Sequence, residues 1–593
     1  MFSYIFMKIL EKWPERYNLG INILTCGHAR KVKTEILRTY VKPNIKLLDI
    51  GCGTGQFAAN AARAGADVVG IDISERMLSA ARKRVRDQGI SAKVNLYHAG
   101  VIEMDSLFDD NSFDLITATL IISELYTEQR HWMLSEIRRI LKPSGTLILA
   151  DEVKPNKLLQ KLAYLLVRSV LAVITYAFTG TGTKPVADIS KELSETGFEI
   201  TREKHSLLGS FMVVSARKKT GSFSRLEQSV QAKYPHQDFS LLKSVWDYVG
   251  RWFPNPVEPG LRIIGSPTEN SPVLVTSNFH LTVRRLEKAL RDSNCYVLAA
   301  PTRGINVWCA ACGGTMNSNS IITVIKTSGI NEKVHHRRLI LPQLCAPGID
   351  RKLLRQETGW DSSFGPVYAT DVPSFLSNNC KKTLTQTIAR FPLSFRLEML
   401  FSMNFLIFGL IGFIAFLINP GWLLYLTVFF WVPGIILYAG FPFFPGKSGW
   451  AKAITLAGLE VLCIALLSVF ILGQPYWAHW GWMIAASAMT IWLGFDLRGS
   501  VGANPSEAEY LVTRLGIKSI GKVFTSRGEK SGVVQKDESK CTNCQMCIGV
   551  CPSGVFSLSK NGGVLMNNPS KCFTCNACIK QCPADALHIA CWD

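Results

Sequence analysis

Two stretches near the carboxyl end, CTNCQMCIGVCP (541–552) and CFTCNACIKQCP (572–583), repeat one spacing, C-x2-C-x2-C-x3-C-P. No other feature constrains the folding of this chain as tightly. Three thiolates within seven residues wrap one corner of a cubane, and the fourth ligand comes from the other copy. The spacing therefore predicts two [4Fe-4S] clusters: one on Cys541, Cys544, Cys547 and Cys582, the other on Cys572, Cys575, Cys578 and Cys551. Zinc is the alternative occupant of such thiol sets. Eight of the 17 cysteines fall in this repeat and must stay reduced, so a reducing compartment is expected rather than a disulfide framework. The repeat defines a small α+β domain over 536–593, behind a linker over 499–535.

A chain of 593 residues is too long for one hydrophobic core. Its apolar share, 48%, and mean hydropathy, +0.16, exceed those of an ordinary soluble protein. The excess gathers in four runs, 401–418, 421–439, 453–472 and 480–495, each near the length of a membrane span. They predict an α-helical transmembrane bundle of about four helices over 396–498. Trp422, Trp431, Trp477, Trp480 and Trp482 suit the interfaces, and Arg390, Arg396, Lys447, Lys452 and Arg498 put both ends of the bundle in the cytoplasm. Glu460, inside the third run, reads as a functional polar group or as a partnered structural acid. A net charge of +20 is explained by a basic face against anionic lipid; membrane lipid is the expected partner and nucleic acid is not, since no nucleic-acid motif accompanies the charge. The opening MFSYIFMKILEKWPERYN has charges too early for a signal-peptide core and reads as a helix covering the first domain.

KLLDIGCGTGQF (46–57) is an apolar strand, a glycine-rich turn and the start of an alanine-rich helix. ADVVGIDIS (66–74) is a second strand ending on a carboxylate, SFDLITATL (112–120) and GTLILAD (145–151) read as later strands, and LKPSG (141–145) as the turn between them. This order resembles the class I S-adenosylmethionine (SAM)-dependent methyltransferases over residues 1–218 and implies an α/β Rossmann-like fold. By that resemblance Asp49, Gly51, Gly53 and Gly55 line the amino-acid part of SAM and Asp72 holds the ribose. Where many relatives place an acid near the adenine, this chain has Ile102, with Glu103 beside it as a substitute. A nicotinamide-binding Rossmann domain is the other reading, though the glycines do not follow GxGxxG. The opening segment and FTGTGTKP (178–185) resemble methyltransferases that accompany corrinoid proteins. The apolar run 158–178, interrupted by Lys161 and Arg168, reads as a cap helix that can touch the bilayer surface.

Beyond a linker over 219–240, SPVLVTSNFH (271–280), NCYVLAAPT (294–302) and IITVIKTSGI (321–330) read as strands of a second α/β domain, 241–395. NVWCAACGG (306–314) follows the strand ending near Ala300, where side chains commonly face a ligand. Alone, Cys309 and Cys312 form a C-x-x-C that could be a redox dithiol or half a zinc site, without a second Cys or His pair nearby. Together with HRRLILPQLCAPGID (336–350) and FGPVYATDVPSFL (364–376), the segment resembles the corrinoid-binding domain of the mercury-methylation corrinoid proteins, the HgcA family. The resemblance implies that Cys309 ligates the cobalt of a corrinoid (cobalamin) and that Asn306 and Trp308 shape the cap over its lower face. A soft, strongly donating thiolate below the metal favours methyl release to a soft acceptor such as Hg(II). Relatives continue NVWCAA with Gly-Lys-Gly-Thr-Phe; this chain has Cys312, Gly313, Gly314, Thr315 and Met316. A lysine is lost and a thiol gained, which leaves the acceptor open. Those relatives usually show five spans, one more than the runs counted here.

The cysteine repeat resembles bacterial two-cluster ferredoxins and, in this context, the ferredoxin partner of the same system, the HgcB family. That family has an extra cysteine near its carboxyl end; Cys591 matches it as a possible substrate thiol or is an incidental tail cysteine. The expectation is a multidomain fusion held in the cytoplasmic membrane as a multi-pass protein, with its soluble domains on the cytoplasmic side. It would carry methyl from SAM through cobalt to Hg(II), or to an arsenic, selenium or one-carbon-pathway acceptor. An external low-potential electron donor is implied. The second linker, on the order of 35 Å as a flexible coil, would let the clusters visit the corrin. The alternative is a membrane electron carrier whose methyltransferase domain acts separately on a small molecule.

Overall fold

The glycine-punctuated strands of the first domain assemble into one seven-stranded sheet, ordered β3-β2-β1-β4-β5-β7-β6. This computed structural model describes residues 27–153, 155, 186, 188–206, 209–219, 241–251, 254–390, 392–441, 443–444, 449–496, 532–572 and 574–591. The opening segment, the 158–178 run, FTGTGTKP and nearly all of both linkers lie outside them. The strands are β1 (Lys46–Ile50), β2 (Asp67–Asp72), β3 (Val94–His98), β4 (Phe113–Thr119), β5 (Leu141–Glu152), β6 (Phe198–Ser206) and β7 (Phe211–Lys218). β1 to β5 run parallel, and β7 lies antiparallel between β5 and β6. Helices α1 (His28–Tyr40), α2 (Gln56–Arg63), α3 (Glu75–Asp87) and α4 (Thr127–Ile140) accompany this sheet. Leu47, Leu48, Ile71 and Ile116 are all buried, the continuous apolar pattern of strands covered on both faces. LKPSG is part of β5 rather than a free turn. Its partner register on β4 jumps from Leu141 to Thr146 between Phe113 and Leu115, so the proline and glycine loop out as a bulge.

The second domain has a five-stranded sheet, β12-β11-β9-β10-β8. Its members are β8 (Gly260–Ile264), β9 (Val273–Ser277), β10 (Cys295–Ala300), β11 (Arg338–Leu341) and β12 (Asp361–Phe364), with only β8 antiparallel to its neighbour. Around it lie α6 (Leu241–Val249), α7 (His280–Leu290), α8 (Val307–Cys312), α9 (Ser318–Thr327) and α10 (Arg351–Thr358); α5 (Ile189–Glu195) belongs to the first domain. The IITVIKTSGI run, expected as a strand, is mostly α9. Asn317 caps it by accepting from Ser320 N. Its residues 320–325 are buried all round because α9 packs against α4 of the first domain on one side and β8, β10 and α10 on others. A helix apolar on every face leaves no 3.6-residue period to read.

α11 (Leu393–Ile418), α12 (Trp422–Gly440), α13 (Gly449–Phe470) and α14 (Trp480–Asp496) follow. Among the described residues two helices are long and apolar enough to cross a membrane, Trp422–Gly440 and Lys452–Phe470. They become three if the halves of α11, bent by 47°, count as one span. The fourth expected run forms α14, an apolar helix of which 17 residues are described. Two of the cations expected to mark the cytoplasmic side have local partners: Arg396 donates to the Tyr438 and Ala439 carbonyls and Lys452 to that of Phe441, closing the carboxyl end of α12; Lys447 and Arg498 lie outside the described residues. Glu460 accepts from Thr490 Oγ1 at 2.8 Å, so the acid is partnered. Glu398, near the start of α11, is clamped by Arg251 and Arg285 of the second domain.

The carboxyl-terminal module pairs β13 (Gly532–Lys536) with β16 (Leu587–Cys591) and β14 (Phe556–Leu558) with β15 (Val564–Met566), around helices α15 (Met546–Val550) and α16 (Ala577–Gln581). It packs on the second domain. Gln581 Nε2 donates to the Ala346 and Ile349 carbonyls at 2.9 and 2.7 Å, Lys382 Nζ to the Gly549 carbonyl, and Ala389 N to the Pro552 carbonyl. One hydrophobic core runs from the first sheet through the second to the cysteine module.

Candidate active site

The turn after β1 is built on three left-handed glycines, Gly51, Gly53 and Gly55, with φ of 71°, 54° and 68°. A Cβ on Gly55 would meet Ala81 Cβ at 2.7 Å, so this glycine lets α2 approach α3; at Gly53 the same position is open space, where a ligand can lie against the backbone. Asp72, at the carboxyl end of β2, accepts from Gly53 N at 2.8 Å and Ser74 N at 2.9 Å, which fixes its carboxylate at the mouth of the turn. Its pKa is raised, by burial first. Asp49 is buried and accepts from Thr117 Oγ1 at 2.9 Å; burial pushes its carboxyl up to about 6. Ile102 is buried, and Glu103 accepts from Gly100 N at 2.9 Å. Ile73, 68% exposed beside Gly100, offers this edge an apolar face that the sequence reading did not single out. The donor set suits SAM: carboxylates for hydroxyl and amino groups, and bare backbone for close approach.

Sequence reasoning also missed Glu124, in the turn after β4. It is exposed, and the protein packed around it raises its carboxyl pKa above the ordinary value. The Asp151 carboxylate adds to the rise, Arg303 opposes it and Asp72 adds again. Asp151 itself is buried and accepts from Ser123 N at 3.0 Å. The segment SELY carries no motif, so only the fold could reveal this group.

Arg303 comes from the second domain, at the turn leading to NVWCAAC. That turn is organised by Asn278, fully buried at the end of β9. Its Oδ1 accepts from Thr302 N, Thr302 Oγ1 and Gly304 N at 2.9, 3.0 and 3.0 Å. Its Nδ2 donates to the Val257 carbonyl at 2.9 Å and to Tyr126 Oη of the methyltransferase-like domain at 3.1 Å. Lys326 on α9 closes the same interface on Asp105, at 2.7 Å.

α8 begins two residues further on. Asn306 is its N-cap: Oδ1 accepts from Cys309 N at 2.9 Å while Nδ2 donates to Cys309 Sγ at 3.3 Å. Only a carboxamide can do both. Cys309 is exposed, Trp308 is half-buried, and Cys312 is half-buried at the last residue of the helix. Met316 is fully buried. An exposed thiol on a short, pinned helix past the carboxyl end of β10 is a donor that could hold the cobalt of a corrinoid. The 343–348 turn packs behind α8 and in turn carries α16, so the cysteine module lies behind α8 with this turn between them.

The eight repeat cysteines ring two cavities. Cys541, Cys544, Cys547 and Cys582 line one with Lys536, Val564 and Leu587; Cys551, Cys572, Cys575 and Cys578 line the other with Val534, Phe556 and Ile589. Each set mixes the two copies. Asn543 and Gln545 in the first copy, and Thr574 and Asn576 in the second, take left-handed conformations at matching positions. The backbone amides of Val555, Thr574 and Ala586 donate to cysteine sulfurs at 3.3–3.4 Å, as amides do around iron–sulfur clusters. Among the described residues no three His, Cys, Asp or Glu side chains meet closely enough to hold a single ion; the thiols surround a volume, which fits a cluster. Cys591 ends β16, and its side chain lies outside the described ones.

Known proteins match the chain in pieces. A methyltransferase domain family matches residues 47–145, the CO dehydrogenase/acetyl-CoA synthase delta subunit family residues 248–376, and a 4Fe-4S dicluster domain family residues 540–587. The acetyl-CoA decarbonylase/synthase complex subunit gamma of Methanocaldococcus jannaschii is 38% identical over 22% of this chain and 27% of its own length. The demethylmenaquinone methyltransferase of Symbiobacterium thermophilum is 33% identical over 25% of this chain and 59% of its own length. The chain thus spans about a quarter of the first of these relatives and under two thirds of the second. Among solved structures, a SAM-dependent methyltransferase from Aquifex aeolicus is 21% identical, covering 32% of this chain and 88% of its own, with a TM-score of 0.24. The chain carries a methyltransferase domain. It is a fusion of a Rossmann-like methyltransferase domain, a corrinoid-binding-like domain and a 4Fe-4S module.

Proposed function

We propose that this chain is a membrane-anchored corrinoid methyltransferase with its own reductase module, which passes a methyl group from SAM by way of a protein-held corrinoid to a soft acceptor, Hg(II) foremost. When bound, SAM supplies the methyl, the corrinoid a cobalt that can take and give it, and two clusters low-potential electrons. The residues then have separable tasks. Asp49, Asp72 and the glycine turn hold SAM. Asn306 fixes Cys309 as the cobalt ligand, and Trp308 shapes the surface beside it. The two cysteine sets hold the clusters, and Gln581 and Lys382 keep them on the second domain. The apolar helices anchor the assembly in a membrane, with the soluble domains on its cytoplasmic side.

The observation that carries this reading is the exposed Cys309 thiol on a helix that follows the turn Asn278 ties to Tyr126 and that packs on the 343–348 turn, on whose other side the cysteine module rests. The order of parts along the polypeptide is the order of the chemistry. The test supplies purified, cobalamin-loaded, reduced protein with SAM and, separately, Hg(II), arsenite, selenite or a thiol acceptor. Methylmercury should form fastest. A second reading, transfer to a one-carbon-pathway acceptor, is favoured by the likeness to an acetyl-CoA decarbonylase/synthase subunit; no product from any metal or metalloid species would support it.

A further inference from the structure

We infer that Lys536 sets the order in which the two clusters take up electrons: its ammonium group lies beside the Cys541, Cys544, Cys547 and Cys582 set only, and makes that cluster the easier of the two to reduce. The inference rests on the reading that each cysteine set holds a [4Fe-4S] cluster.

The module is built nearly twice over, so a difference between its halves carries meaning. β13 and β16 pair with Val534 opposite Ile589 and Lys536 opposite Leu587. Residues two apart on a strand share a face. Here the two pairs divide between the cavities: Val534 and Ile589 line the one ringed by Cys551, Cys572, Cys575 and Cys578, and Lys536 and Leu587 line the other. Among the described residues lining the two cavities, Lys536 alone has a charged side chain. Lys540 and Lys571 each precede the first cysteine of a copy, so they distinguish nothing.

The Lys536 side chain is only 6% exposed. Its Nζ donates to the Val564 carbonyl, in the wall of the same cavity, and lies 2.8 Å from a Glu538 carboxylate oxygen. That carboxylate is 79% exposed, so water screens it far more than it screens the ammonium, and the pair leaves a net positive field inside. A second cation adds to it from the second domain. Arg351 Nη1, at the start of α10, lies 3.9 Å from Met546 Sδ, and Met546 lines this cavity as well. Lys580, beside Ile579 of the other cavity, is exposed and engaged with Asp350 at 3.6 Å.

Reduction adds an electron and no proton, so the site gains negative charge, and cluster potentials follow the local charge, hydrogen bonding and exposure. The amide donors act against the proposed order, with Cys551 and Cys572 served in one set and Cys582 in the other. They are neutral dipoles, whose field falls off faster than that of a full charge held out of water, so Lys536 prevails. An electron given to the module by an outside donor then comes to rest on the Cys541 set: the other cluster is oxidised, this one is reduced, and no proton moves. It is the set whose Met546 meets Arg351 of the second domain.

The test is a redox titration with dithionite, followed by electron paramagnetic resonance, on the full-length, detergent-solubilised protein with its iron and no added cobalamin. Two one-electron steps are expected. Lys536→Met keeps the length of the side chain and removes its charge; it should lower the reduction equilibrium of the upper step about tenfold, or about 59 mV for one electron, and leave the lower step in place. Lys536→Arg should keep both steps. Glu538→Gln, an exposed change that leaves every ligand and Lys536 in place, should move the upper step up by a smaller amount. Steps unmoved in Lys536→Met at unchanged iron content, or a shift of the lower step instead, would overturn the role of Lys536 and leave the two-cluster reading standing. If Lys536→Met takes up no iron, an unmoved upper step in Glu538→Gln overturns that role in its place. Zinc, or iron for a single cluster, in the wild-type protein would overturn both.

Discussion

Asn306 shows how much one side chain can specify. Its carbonyl oxygen ends the helix and its amide nitrogen faces the thiol, so two properties can be separated by substitution. Asn306→Asp keeps the cap acceptor but sets a carboxylate against Cys309; the cobalamin-loaded protein should retain its thermal stability and show an altered Co(III) absorption spectrum. Asn306→Ala should change both, lowering stability by about 1 kcal/mol. An unchanged spectrum in both variants, together with a normal spectrum in Cys309→Ala, would remove Cys309 from the cobalt. Asp49 makes a prediction of another kind. Its carboxyl is raised by burial to about 6, so the folded protein holds a proton that the unfolded chain releases near pH 4. The stability this contributes is complete below about pH 4 and is lost as pH rises through about 6, on the order of 2–3 kcal/mol in all. Asp49→Asn should flatten the stability–pH curve of the SAM-free protein over that window; an identical slope in both proteins would contradict the assignment.

Elements were legible where a pattern had one physical cause. The glycine turn after β1, the acid ending β2 and the two cysteine repeats could be placed from sequence because backbone conformation and ligand spacing allow few alternatives. α9 could not, because a segment buried on every side is apolar on every side, and its β-branched residues read as a strand. Tyr126 and Asn278 come from separate domains and meet only through the docking of two sheets, so no local motif announces them. Docking of the cysteine module was equally hidden, since it rests on backbone carbonyls. Gln581→Leu leaves the Ala346 and Ile349 carbonyls without their donor, each at a cost of about 1–3 kcal/mol if no water replaces it. Hydrogen exchange in 343–349 and in the 532–591 module should accelerate while iron content stays the same. Unchanged exchange would mean that the contact does not hold the module.

At the scale of the molecule, the continuous core makes the fusion more than a tether of independent parts. Residues 302–304 are tied by Asn278 to the interface with the first domain, and the helix after them packs on the 343–348 turn that carries the cysteine module; in the proposed reading this brings the methyl and electron sources to one side of the molecule. The measurement that tests this most directly follows a labelled methyl group. The full-length protein is loaded with cobalamin, reduced, and mixed with SAM labelled in its methyl group, before any acceptor is added. The label should be recovered on the protein-bound corrinoid, at no more than one per chain, and should be lost in Asp72→Ala, which cannot hold SAM. Label found on a small molecule or on the polypeptide, with none on the corrinoid, would contradict the account.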